Sequence, residues 1–171
     1  MSILDTQLEK GSSQMSQAFK SAMRSWKSGV CLVTATPPGQ EPIGIVCNSF
    51  TSVSMDPELI LWCVDHGSTA IEAWRAVDAY ALHILPGMEH PLSVRFVQRG
   101  GNKFAGLKYE INQNGSPIFP ELATRFDCVL DRRITVGDHD LMIGQPTSII
   151  YPANESESSC SVASSIKIHS N

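Results

Sequence analysis

Apolar side chains at Met15, Phe19, Met23 and Trp26 recur at helical spacing, which predicts one helix with a single apolar stripe that stops before Gly29. Val30 to Thr36 is a β-rich run closed by Pro37-Pro38-Gly39, and strand character resumes from Ile43 to Cys47, so the two read as a hairpin. Leu59 to Val64 predicts a short, continuously apolar strand, Thr69 to Val77 a short helix, Tyr80 to Leu85 a further strand and His90 to Gln98 a further helix. Gly100-Gly101 breaks the pattern ahead of a loop carrying Asn102-Lys103-Phe104, and the chain stays loop-rich to Pro120, with Asn114-Gly115 as its clearest turn. From Arg125 the residues alternate, Phe126, Cys128 and Leu130 on one face and Arg125, Asp127 and Asp131 on the other, as in a half-buried strand. Gly137-Asp138-His139 then turns the chain into a returning strand, Leu141 to Ile150. Many strands, few short helices and no regular strand–helix alternation predict a mainly β fold, an antiparallel barrel with helical excursions rather than a doubly wound sheet.

The chain has 171 residues, enough for one domain with a full core. Residues 1–13 are polar and predicted disordered, 14–151 form the expected domain, and 152–171 are a Ser-rich tail predicted disordered, with Val162 to Ile168 as one possible edge strand. A net charge of -4 and no basic run longer than Arg132-Arg133 argue against nucleic acid and against a polybasic membrane patch. No apolar segment is long enough for a bilayer or placed as a signal peptide. The five cysteines are odd in number, widely spaced and without a Cys-x-x-Cys pair, which reads as reduced core residues in a cytoplasmic protein.

The densest chemistry is Asn48-Ser49-Phe50-Thr51-Ser52-Val53-Ser54, entered directly from the apolar strand Ile43 to Cys47. Small hydroxyl and amide side chains offer hydrogen bonds without bulk and let a planar ligand approach the backbone. Composition alone also fits a β-turn and strand whose Ser and Thr satisfy local backbone groups. Alone, Lys103 reads as a solvated surface charge, and His139 as a loop residue held by Asp138.

The full string resembles the short-chain flavin reductases, the small components of two-component monooxygenases built on an FMN-binding split barrel. The resemblance runs from Phe19 to Trp26 and Gly29 to Thr34 through Asn48 to Pro57, Cys63-Val64-Asp65 with Ser68, Ser93 with Arg95-Phe96, Lys103-Phe104 with Gly106, and Gly137-Asp138-His139. It covers roughly residues 17 to 145. The chain departs from the pattern at Val46, where the family usually carries Thr, and after Ile150, where the family continues into a closing strand. The resemblance implies hydride transfer from NADH or NADPH to N5 of FMN or FAD, release of reduced flavin to a partner monooxygenase, and a homodimer. It places Val46, Cys47, Asn48 and Ser49 along the pyrimidine edge, and Ser52 and Ser54 near the ribityl chain or phosphate. Ser68 and Lys103 become phosphate candidates, Phe104 a cover for the flavin or nicotinamide ring, and His139 the group that contacts the nicotinamide. A rival reading, motivated by the two departures, is a barrel that holds flavin passively or acts on another small molecule in the same pocket.

Other chemistries lack their signatures. There is no Gly-x-Ser-x-Gly elbow, no Gly-x-Gly-x-x-Gly fingerprint, and Leu107 rather than Lys follows Gly106, which excludes a P-loop. Asp138-His139-Asp140 resembles a metal cluster only superficially, because adjacent side chains on an extended backbone point to opposite faces. No metal is expected.

Overall fold

A computed structural model describes residues 17, 19, 22 and 29–152. Among the described residues with continuous bounds, nine strands, β1 Val30–Ala35, β2 Ile43–Cys47, β3 Thr51–Met55, β4 Glu58–Asp65, β5 Ala79–Leu85, β6 Glu110–Ile111, β7 Pro117–Ile118, β8 Thr124–Val136 and β9 His139–Ile150, accompany two short helices, α1 Ile71–Arg75 and α2 Pro91–Phe96. Seven strands form one sheet in the order β2-β1-β5-β8-β9-β4-β3, with antiparallel neighbours throughout. β2 and β3 end that order yet follow each other in the chain, and β2 touches β4. The sheet therefore curls until its two ends approach.

β1 is buried on both faces, which explains its unbroken apolar run. Period-two alternation decides which core each side chain enters. Cys31, Val33 and Ala35 join the larger cluster with Trp62, Trp74, Tyr80, Phe126 and Met142. Val30 and Leu32 join a second one with Phe96, Phe104 and Phe119. Trp62 meets Trp74 and Tyr80 edge-on, at centroid separations of 5.0 and 5.7 Å, the geometry that aromatic quadrupoles favour. Gly144 lies beneath Tyr80, and a Cβ there would overlap its hydroxyl. Of the predicted N-terminal stripe, Phe19 is helical and buried, edge-on to Phe126 at 6.4 Å; Met15, Met23 and Trp26 lie outside the described residues, as does the expected strand at Val162 to Ile168.

The β1–β2 hairpin forms as expected. Both helices are shorter than their periodicity suggests. His90 caps α2, its Nδ1 accepting the Leu92 N–H at 3.3 Å, with Pro91 in the first turn. The predicted loop to Pro120 holds the β6–β7 hairpin, closed where Asn112 Oδ1 accepts the N–H groups of Asn114 and Ser116 and Gly115 adopts φ +79°. The alternation expected from Arg125 holds, since Phe126, Cys128 and Leu130 all reach the larger cluster. Irregularities against β9 fall between Asp127 and Cys128 and between Leu130 and Arg132, and the one correction is Asp127, expected on a solvent face but buried and paired with Arg125 at 2.9 Å.

His83 is fully buried on β5. Its Nδ1 donates to the Leu32 carbonyl at 3.2 Å, and its Nε2 accepts the Phe119 N–H at 3.3 Å, a pairing only the neutral ring completes. Burial pushes its pKa down to about 3 from 6.5. The unfolded chain binds this proton at higher pH than the folded one, so stability rises with pH across that window and falls on acidification. Urea unfolding between pH 6.5 and about 4 is expected to show a decline of up to about 1.4 kcal/mol per pH unit, which His83→Gln flattens; an unchanged slope in that variant would remove His83 from the account.

Candidate functional site

β4 is the strand around which the site assembles. On one side it pairs with β9, Cys63 opposite Leu141 and Asp65 opposite His139. On the other, the connection between β2 and β3 is fastened to it by Ser49, whose Oγ accepts the Cys63 N–H at 2.9 Å. Ser68 follows in the turn after β4, its N–H donating to Asp65 O at 2.9 Å and its Oγ accepting from Ala70 N–H at 3.3 Å. Ser49, Ser68 and His139 thus converge toward one end of β4. Directly opposed residues share a face, so Leu61, Cys63 and Asp65, then His139 and Leu141, then Ile134 and Val136 line one outer surface.

His139 opens β9 with its side chain 41% exposed, and its Nδ1 lies 2.7 Å from Asp138 Oδ1. This hydrogen bond holds the Asp138 carboxyl below its ordinary range. An ionised carboxylate only accepts, so Nδ1 is the donor in this pair, and in the neutral form of the ring Nε2 is then the lone-pair nitrogen. Asp140, one residue on, points inward and is fully buried. It accepts from Arg75 Nε at 2.8 Å, His66 Nε2 at 2.9 Å and Thr135 Oγ1 at 2.7 Å, and Arg75 above all holds its carboxyl well below the usual carboxylate range. Asp140 thus points away from the Asp138–His139 pair, and among the described residues no group of three or more His, Cys, Asp or Glu is arranged to hold a metal ion.

Val46 lies against the second cluster with Leu107, and the Phe96 and Phe104 rings cover Gly44 so closely that a Cβ there would overlap Phe96. The Lys103–Phe104 loop is sewn to α2. Lys103 Nζ donates to the Phe96 carbonyl at 2.8 Å at the helix C-terminus, while Arg95 donates to the carbonyls of Lys103 and Ala105. Burial pushes the Lys103 ammonium pKa down. Phe104 is 5% exposed, stacked on Phe119 with an interplanar angle of 12° and edge-on to Phe96 and Tyr109. Its ring thus packs inside the protein among Phe96, Tyr109 and Phe119. Asn48 is exposed. Ser52 pairs with Ile60 but Ser54 with Leu59, because a register shift falls between them; the two serines face opposite sides, and Ser54 Oγ accepts the Asp56 N–H at 3.2 Å. Cys47 turns its side chain into the larger cluster, leaving its backbone for any ligand.

The donor set fits a flavin. Among the described residues β2 and β3 each carry a ladder on one side only, so each offers a row of alternating N–H and C=O groups, the complement of a ring edge that alternates acceptors and donors. The described cysteines Cys31, Cys47, Cys63 and Cys128 are free. Burial raises the thiol pKa of Cys31 and Cys128 and pushes Cys47 up to about 11. Sequence reasoning missed Asp140 and its partners; the available signal was a carboxylate in the inward register of β9, between His139 and Leu141.

The profile of the flavin reductase like domain matches residues 23–162. The chain belongs to this family. It is 38% identical over 130 residues to the FMN reductase (NADH) SmoA of Agrobacterium fabrum, covering 76% of this chain and 74% of that one. Over 132 residues it is 33% identical to the stachydrine N-demethylase reductase subunit Stc3 of Rhizobium meliloti, covering 77% of this chain but 57% of that relative. The solved structure of the NADH:FAD oxidoreductase SgcE6 of Streptomyces globisporus, in complex with NAD and FAD fragments, superposes with a TM-score of 0.65 at 26% identity, covering 72% of this chain and 74% of that one.

Gly44→Ala tests the packing beside the site. The added methyl displaces Phe96 and with it the Lys103–Phe104 loop, at an expected cost of about 1–3 kcal/mol. A lower Tm with altered ring-current shifts at Phe96 and Phe104 is expected; an unchanged melt would show that the two elements move apart freely.

Proposed function

We propose that this protein catalyses NAD(P)H-dependent reduction of FMN or FAD and supplies reduced flavin to a partner monooxygenase. The observation that carries this reading is the meeting, across β4, of the small-residue connection anchored by Ser49 with the lone-pair face of His139. The names of SmoA and Stc3, an NADH-linked FMN reductase and a demethylase reductase subunit, support it. When bound, the nicotinamide supplies a hydride and the flavin accepts it.

The backbone N–H groups that the β1 ladder leaves free along Val46, Cys47, Asn48 and Ser49 donate toward the ring edge where negative charge gathers. The small side chains of Asn48 and Ser49 leave the backbone accessible, and Ser52, Ser54 and Ser68 offer hydroxyls to the ribityl chain and phosphate. Lys103 Nζ, with one proton on the Phe96 carbonyl, keeps two for a phosphate. His139 Nε2 accepts from the carboxamide of the nicotinamide and fixes its orientation, which makes the reacting atoms neighbours in a defined pose.

The outer face supports a homodimer. Ile134 and Val136 are 42% and 54% exposed beside half-buried Leu61 and Leu141, an apolar sheet surface of the kind that a second copy covers. The free thiols support a cytoplasmic location, and among the described residues no helix is long and apolar enough to cross a membrane.

Calorimetry with FMN and with FAD is expected to show binding by at least one. His139→Ala is expected to slow hydride transfer from NADH by about 10- to 100-fold in stopped-flow measurements while flavin Kd stays nearly constant. Flavin binding without any hydride transfer in the unaltered protein would replace this reading with the passive barrel, and no binding of either flavin would sink both. For the dimer, sedimentation of Ile134→Glu is expected to give a monomer where the parent protein gives a dimer; an unaltered dimer would move the interface elsewhere.

A further inference from the structure

Asp138 and His139 are an exposed pair, with side chains 88% and 41% accessible, and such pairs on their own contribute little and exchange readily with water. Beneath them lies a carboxylate that is fully buried, that of Asp140. Thr135 stands opposite Asp140 in the β8–β9 ladder and donates its hydroxyl to the Asp140 carboxylate; Arg75 reaches the same carboxylate from α1, and His66 from the turn after β4. His66 closes the circuit, because its backbone N–H donates to the Asp138 carbonyl at 2.9 Å while its side chain holds Asp140. Two elements from outside, α1 and the turn after β4, therefore grip the hairpin on both sides of His139, and Thr135 ties its two arms together. Asp65, opposite His139 in register, has its Oδ1 engaged by the Gly67 N–H at 2.6 Å, which leaves Asp138 as the carboxylate bonded to Nδ1.

We propose that Asp140 is a positioning residue for His139: by clamping His66, Arg75 and Thr135 beneath the hairpin tip it fixes the direction of the next residue, so that the imidazole keeps its proton on Nδ1 and aims Nε2 outward as an acceptor. This rests on the reading of His139 as the group that meets the nicotinamide. The alternation of β9 makes the mechanism direct, since an inward carboxylate that cannot shift leaves its neighbour no freedom to turn. Reactive geometry held this way tolerates displacements of only a fraction of an ångström.

Removing one donor at a time tests it. His66→Phe and Thr135→Val each delete a hydrogen bond to Asp140 with little change of shape; His66→Gln and Thr135→Ser return a donor. The direct readout is the pair of imidazole ¹⁵N shifts of His139, which report the proton's position without any turnover. The kinetic readout is the KM for NADH and the hydride-transfer rate with FMN, alongside the FMN Kd. The deletions are expected to average the two ¹⁵N shifts and to slow hydride transfer by about tenfold, with FMN Kd unchanged; Gln and Ser are expected to recover most of both. If His139 keeps the unaltered ¹⁵N pattern in folded His66→Phe and in Thr135→Val, the inference is overturned. Averaged shifts with undiminished hydride transfer would uphold the clamp and overturn the nicotinamide role of His139 instead.

Discussion

The architecture depends on a strand that has no solvent face. β1 lies between two apolar clusters, and each neighbour it pairs with must curve to let both clusters close. Its two sides recruit different parts of the chain: the aromatic group around Trp62 and Tyr80 combines strand residues with Trp74 of α1, whereas Phe96, Phe104 and Phe119 come from α2 and loops. Buried polar groups hold the seam. His83 bridges the Leu32 carbonyl and the Phe119 amide, and Thr34 donates to the Pro117 carbonyl at 2.6 Å, so the loop segment before Pro120 is pinned to the sheet by bonds that would be costly to leave unmade.

From that frame the site follows by connectivity. A sheet whose end strands are consecutive in the chain must turn sharply between them, and the turn, Asn48 to Phe50, comes to rest on β4. β4 also carries β9, so residues far apart in sequence become neighbours through one strand. Ser49 and His139 are related through β4, by one side-chain hydrogen bond to Cys63 and by the β4–β9 ladder. The helix–loop segment that holds Lys103 and Phe104 packs on the other core, against Gly44 and Val46 of β2, the strand that leads into this turn.

The strands were legible because their signals are local. The run from Val30, the apolar block from Leu59 and the Gly137 turn, with φ +60°, each announce themselves within a few residues. Motif order made the family legible as well. Three features were not. The register shifts between β8 and β9 have no local signature, and neither does the burial of Asp127, which stays on the face away from Phe126 and Cys128 but is covered there beside Arg125. Ser52 and Ser54 keep a period-two spacing that implies a shared face, yet the register shift between them sends them to opposite sides. The carboxylate of Asp140 was visible only as one charge among three residues, since Arg75, His66 and Thr135 lie in three other elements and only the fold unites them. Lys103 and Phe104 were identified by motif, but their engagement with Phe96 and Phe119 belongs to packing.

The burial of the thiols has a chemical consequence for a protein that handles reduced flavin. Reduced flavin released into air yields hydrogen peroxide, and the species peroxide attacks in a cysteine is the thiolate. Cys31 and Cys128 are buried with raised pKa values, and Cys47 is held at about 11, so at neutral pH these three are almost wholly protonated and inert. The apolar packing that closes the barrel thereby shields these sulfur atoms from the by-product of its own chemistry.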